Sequence, residues 1–110
     1  MNVLFICSAN VLRSVTAENV FSGYPGLDVR SAGTNPDAEC PVSADLVEWA
    51  EIIFVMEAAH RRRMNEMFGS LLRDKKLVVL EVPDNYELMD PELVAIFKRK
   101  VPPHLGLESF

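Results

Sequence analysis

The chain is poor in cysteine: 110 residues carry only Cys7 and Cys40. Two thiols cannot build a disulfide framework, and a reducing compartment would keep both reduced. No Cys-x-x-Cys and no His/Cys cluster with metal-ligand spacing occurs, so no metal and no other cofactor is expected. Long apolar runs are also missing. Nothing approaches the roughly 20 residues that span a bilayer, and the amino terminus shows no basic segment followed by a long apolar core. A cytoplasmic protein with no membrane partner is therefore expected. A basic excess is absent too: 11 Lys and Arg against 16 Asp and Glu leave a net charge of −5. That argues against nucleic acid as a bulk partner. It does not argue against a small phosphate ester, because distant charges are screened over about 10 Å. There is no internal repeat, low-complexity stretch or linker, and the length suits one domain over residues 1–110 with a single core.

What is present is a regular alternation of strand and helix. Val3 to Ile6 is an apolar, β-branched and aromatic run that reads as a buried strand. A helix follows from about Arg13 to Phe21, stopped by Gly23 and Pro25-Gly26. Leu27 to Ser31 is a second strand, and Gly33 to Pro41 a polar loop. Ser43 caps a short helix through Leu46, Val47 and Trp49. Ile52 to Met56 is a third strand, Glu57 to Phe68 a helix closed by Gly69, and Leu77 to Val82 a fourth strand ended by Pro83. Asp90-Pro91-Glu92 starts the last helix, with Asp90 as cap and Pro91 at its first position. Residues 101–110 read as a loose tail. This order implies an α/β fold, a three-layer doubly wound parallel sheet of four strands with helices on both faces.

The chemistry concentrates where the first strand meets the first helix. Cys7 would sit at the carboxyl end of the strand, the edge at which open α/β sheets bind ligands. The unpaired N–H groups and dipole of the following helix favour an anion there, and a thiolate over a thiol. Arg13 presents a planar fork of donors for two phosphate oxygens. Taken alone, Cys7 could equally be a small buried hydrophobe.

The run Cys7-Ser8-Ala9-Asn10-Val11-Leu12-Arg13-Ser14 resembles the signature loop of the low-molecular-weight protein tyrosine phosphatases, as do Ser31-Ala32-Gly33-Thr34 and Val82-Pro83-Asp84-Asn85-Tyr86. The resemblance implies the strand order 2-1-3-4 and a phosphatase acting on phosphomonoesters, foremost protein phosphotyrosine, through a phosphocysteine. It implies Cys7 as nucleophile and Asp84 as general acid. The amides of Ser8, Ala9, Asn10, Val11, Leu12 and Arg13, with the Arg13 guanidinium, would bind phosphate. Asn10 would pin the loop and Ser14 would donate to the Cys7 sulfur. Tyr86, two residues after the acid, is the expected aromatic platform.

Asp90 is an alternative acid with a sufficient explanation as a helix cap. Four departures from the family pattern bear on the site. Ala9 replaces a loop glycine, at a cost of about 1 kcal/mol if that position needs a positive φ. Asn85 replaces a proline, and the segment between Gly33 and Ile52 is compressed, where the family recognises the phosphotyrosine ring. Leu12 replaces a second loop cysteine found in many members. His60-Arg61-Arg62-Arg63 either faces an anionic substrate or forms a solvated helix flank. The rival readings are an arsenate reductase using Cys40, a phosphatase for a non-protein ester, and a phosphate- or phosphopeptide-binding module without turnover. Expected partners are a phosphorylated protein or a small phosphomonoester, with the enzyme a monomer or weak dimer.

Overall fold

A computed structural model describes residues 1–106. Its elements are β1 (Asn2–Cys7), α1 (Arg13–Phe21), β2 (Asp28–Gly33), α2 (Ala44–Trp49), β3 (Ile52–Val55), α3 (Ala58–Phe68), β4 (Lys76–Val79) and α4 (Pro91–Lys100), with 3-10 turns at Gly69–Leu72 and Pro102–Leu105. The four strands are parallel and ordered β2-β1-β3-β4. The phosphatase-like order is thus the observed one.

The period-two alternation of strand side chains divides the core. Val3, Phe5, Cys7, Ile52, Phe54 and Met56 face one side and pack with Ala17 and Phe21 of α1 and Leu93 and Phe97 of α4. Leu4, Ile6, Ile53 and Val55 face the other and pack with Val47 of α2 and Met64 of α3. Phe5 anchors the first layer, its ring 5.3 Å from Phe54 and 5.8 Å from Phe21. The central strand β1 is completely covered, so its carboxyl end is held from both sides.

Helix boundaries follow the local signals. Ser43 accepts from Leu46 N–H at 3.3 Å, and Asp90 accepts from Glu92 N–H at 2.9 Å. Two expectations need correction. The fourth strand stops at Val79 rather than Val82, because Glu81 adopts φ 57°. Leu80 N–H reaches Val55 O and Val82 N–H reaches Met56 O, both at 2.8 Å, so the ladder resumes after one extra residue. This is a bulge, and it turns the chain toward the carboxyl edge of the sheet, where Val82 O meets Arg13. The second correction concerns the tail. Val101, Pro102 and Leu105 are buried, Val101 and Leu105 in the α1/α4 layer, so these three anchor the segment to the core while Pro103 and His104 stay exposed. Residues 107–110 lie outside the described residues.

Candidate active site

The loop from Ser8 to Leu12 closes around the end of β1 because its outer carbonyls are tied down. Thr34 N–H donates to Cys7 O at 2.9 Å, Asn35 N–H to Ser8 O at 3.0 Å and Glu39 N–H to Ala9 O at 3.0 Å. Among the described residues, the N–H groups of Ser8, Ala9, Val11, Leu12 and Arg13 donate to no carbonyl. They remain available to a ligand, as do the first donors of α1, whose cap residue Leu12 has no capping side chain.

Gly33 makes this closeness possible. It lies in register with Cys7, and a Cβ there would stand 2.4 Å from Ser8 O and 2.7 Å from Ala38 Cβ. The positive φ of the loop falls on Asn10, at 56°, and not on Ala9. Asparagine tolerates that region through its short polar side chain, so the strain expected at Ala9 does not arise.

Cys7 is buried. Its Sγ lies 2.9 Å from Ser14 Oγ and accepts from Asn10 N–H at 3.2 Å. Ser14 Oγ also donates to Asn10 Oδ1 at 2.7 Å. Ser14 has one proton for two acceptors. Spent on Asn10, it leaves the sulfur as S–H donor to Ser14; spent on a thiolate, it requires Asn10 to turn its amide and offer N–H to Ser14 instead. Asn10 thus pins the loop through its backbone and adjusts to the state of the sulfur through its side chain.

Arg13 is buried and paired, as a buried charge must be. Its Nη1 donates to Glu57 Oε2 at 2.6 Å and to Val82 O at 2.9 Å, and its Nε lies 3.7 Å from Asp84 Oδ1. The hydrogen bond from Arg13 holds the Glu57 carboxyl below its ordinary 4.5. Cys7, Ser8, Ala9, Val11, Leu12, Arg13 and Asp84 line one cavity of about 60 Å³, room for a few waters or one small oxyanion.

Asp84 therefore reaches the cavity. Asp90 does not line it and spends its carboxylate on the α4 amide. Tyr86 does not line it either: it packs against the α1/α4 layer and borders a separate, open cavity of about 320 Å³ with Glu92, Ala95, Ile96 and Arg99. The larger hollow is lined by neither Cys7 nor Arg13, which both line the smaller one.

Two site residues were not singled out from sequence. Glu57, at the end of β3, orients Arg13. His60, taken as part of a basic run, is buried and separates from exposed Arg61, Arg62 and Arg63. Its Nε2 is 2.8 Å from Ser8 Oγ and its Nδ1 accepts from Glu57 N–H at 3.1 Å. The Glu57-x-x-His60 spacing, a reciprocal capping arrangement at the start of α3, was the available signal.

Cys40 is exposed on the far side of β2 from Cys7. Gly33 N–H donates to Cys40 O, and Pro41 bridges Gly33. Both cysteines are free thiols, and the segment just before Cys40 touches the loop through Glu39 N–H on Ala9 O.

Solved structures with the same architecture include SP-PTP, a low molecular weight protein tyrosine phosphatase from Streptococcus pyogenes, with a TM-score of 0.76 over 96% of this chain and 91% of that one at 17% identity. The tyrosine phosphatase Wzb from Escherichia coli K30, in complex with phosphate, matches with a TM-score of 0.74 over 90% and 91% at 17% identity. This is the fold of the low-molecular-weight protein tyrosine phosphatases. The same fold is shared by the YwlE arginine phosphatase from Geobacillus stearothermophilus, with a TM-score of 0.72 over 96% and 93% at 19% identity. No protein-family model and no curated protein sequence matches the chain. On this low-molecular-weight phosphatase fold, the loop after the first strand carries Cys7 and Arg13. No helix among the described residues is long and apolar enough to cross a membrane.

Proposed function

We propose that the protein is a metal-independent phosphomonoester phosphatase, acting foremost on protein phosphotyrosine through a phosphocysteine. The observation that carries this reading is the convergence of Cys7, Arg13, Asp84 and the unpaired loop amides on one cavity.

The Cys7 thiolate attacks phosphorus, forming an S–P bond while the bond to the leaving oxygen breaks. The loop amides and Arg13 stabilise the charge on the equatorial oxygens. Asp84 delivers a proton to the leaving oxygen, and the resulting carboxylate then takes one from the water that attacks the S–P bond and returns the thiolate. Glu57 and Val82 O hold the guanidinium so that it need not reorganise as charge develops. A nucleophilic thiol suits a reducing compartment, so action in the cytosol belongs to the same proposal.

Release of phosphate from 4-nitrophenyl phosphate and from a phosphotyrosyl peptide tests the reading. Wild type should turn over both, and Cys7→Ser should abolish turnover while retaining competitive binding of phosphate. Substantial activity in Cys7→Ser would remove the thiol from the mechanism. Phosphate binding without turnover by wild type would instead mark a binding module.

A further inference from the structure

We propose that the Ser8 hydroxyl is an additional donor to the bound phosphoryl group and that His60 is the positioning residue that aims it. This rests on the reading of the Cys7 loop as a phosphoryl site. It goes beyond that reading because the cage described so far consists of backbone amides and one guanidinium.

The argument is a proton count. His60 Nδ1 accepts from Glu57 N–H at 3.1 Å, so a neutral ring carries its single proton on Nε2. Nε2 lies 2.8 Å from Ser8 Oγ. His60 therefore donates and Ser8 accepts. The hydroxyl proton of Ser8 is left over, with no acceptor among the described residues, on a side chain that lines the cavity with Cys7 and Arg13. An anion in the cavity supplies the missing acceptor.

The ring is held in the required state. Burial and the Arg13 guanidinium depress its basicity, against weaker opposing pulls from Glu57 and Asp84. Protonation would also put a hydrogen on Nδ1 facing the Glu57 N–H. The first turn of α3 thus orients two donors at once: Glu57 fixes Arg13, and His60 fixes Ser8.

The test is a double-substitution cycle on the full chain, with kcat/KM for 4-nitrophenyl phosphate and Ki for orthovanadate as readouts. Ser8→Ala should weaken both by roughly 10- to 150-fold, the usual worth of one hydrogen bond to a charged acceptor. His60→Ala should lose a comparable factor in wild type and almost nothing further in the Ser8→Ala background. His60→Gln, which can offer an amide N–H near the former Nε2, and Ser8→Thr should both recover most of the loss. Because His60→Ala removes a buried ring and could fail to fold, the cycle is repeated with His60→Phe, which keeps a ring but cannot donate, with thermal melts run alongside. An unchanged Ki in Ser8→Ala overturns the proposal. So does an equal loss from the His60 substitution in both backgrounds, which would make His60 a mere brace of the loop. A wild-type protein that neither binds vanadate nor turns over would defeat the phosphatase reading itself, a result distinct from either of these.

Discussion

Asp84 and Asp90 lie six positions apart on one connection, and the structure gives them different work. Asp84 stands at the cavity beside Arg13, while Asp90 closes the first turn of α4. A general acid matters in proportion to how poor the leaving group is, whereas a cap matters for folding. Asp84→Asn should slow phenyl phosphate by roughly 10²–10⁴-fold and nitrophenyl phosphate less. Asp90→Asn should keep wild-type rates, since asparagine also caps, and Asp90→Ala should cost about 0.5–2 kcal/mol in a urea titration. A leaving-group-dependent loss in Asp90→Asn alone would reverse the assignment. At Ala9, whose φ is not positive, glycine brings no relief of strain and only a more flexible unfolded chain. Ala9→Gly should lower stability by about 0.4–1 kcal/mol; a gain would show that the alanine is strained after all. That Cys7 and Arg13 would share one loop was legible in the sequence because thiol, loop and cation are contiguous there. Glu57 and His60 were not, because they reach Arg13 and Ser8 across separations of 44 and 52 residues. Tyr86 misled because closeness to Asp84 along the chain does not fix the direction of a side chain in a turn.

Among the elements, β2 and its following loop act as the outer wall of the phosphate loop. Gly33→Ala would drive a methyl group into the Ser8 carbonyl, with backbone on one side and Ala38 on the other. The expected cost is about 1–3 kcal/mol of stability, with a fall in kcat/KM although Gly33 has no polar side chain to offer; a fully active, fully stable variant would show that the contact yields freely. Helix α3 carries a pH signature. His60 is held below its ordinary 6.5 by burial first and Arg13 second. Below that pH the unfolded chain binds a proton that the folded chain refuses, so stability falls as pH drops through this window. Glu57, held below 4.5 by Arg13, adds a second loss further down. Urea midpoints at pH 7.5 and about pH 5.5 should differ in wild type and converge in His60→Gln. The element boundaries read from sequence held where caps and periodicity are local. They failed at β4, where Glu81 takes a left-handed conformation between tertiary anchors: Lys100 Nζ on Leu80 O at 2.8 Å, and Arg13 on Val82 O. They failed also at the segment from Val101, read as a loose tail, where Val101, Pro102 and Leu105 are buried.

For the molecule as a whole, a net charge of −5 surrounds the site proposed to bind a phosphoryl dianion. Only short-range donors can then do the binding, and EDTA should leave turnover unchanged while phosphate inhibits competitively; activity lost to the chelator and restored by a divalent cation would contradict the proposed mechanism. Arg13 takes its partners from residues 44 and 69 positions later in the chain. Arg13 thus precedes both of its partners in the chain, and the guanidinium is not clamped until β3 and the bulge after β4 are in place. The contacts that finish the site are non-local and carry a loop-closure cost, so a segment that ends before Val82 holds the whole Cys7–Ser14 signature without the carbonyl that clamps Arg13.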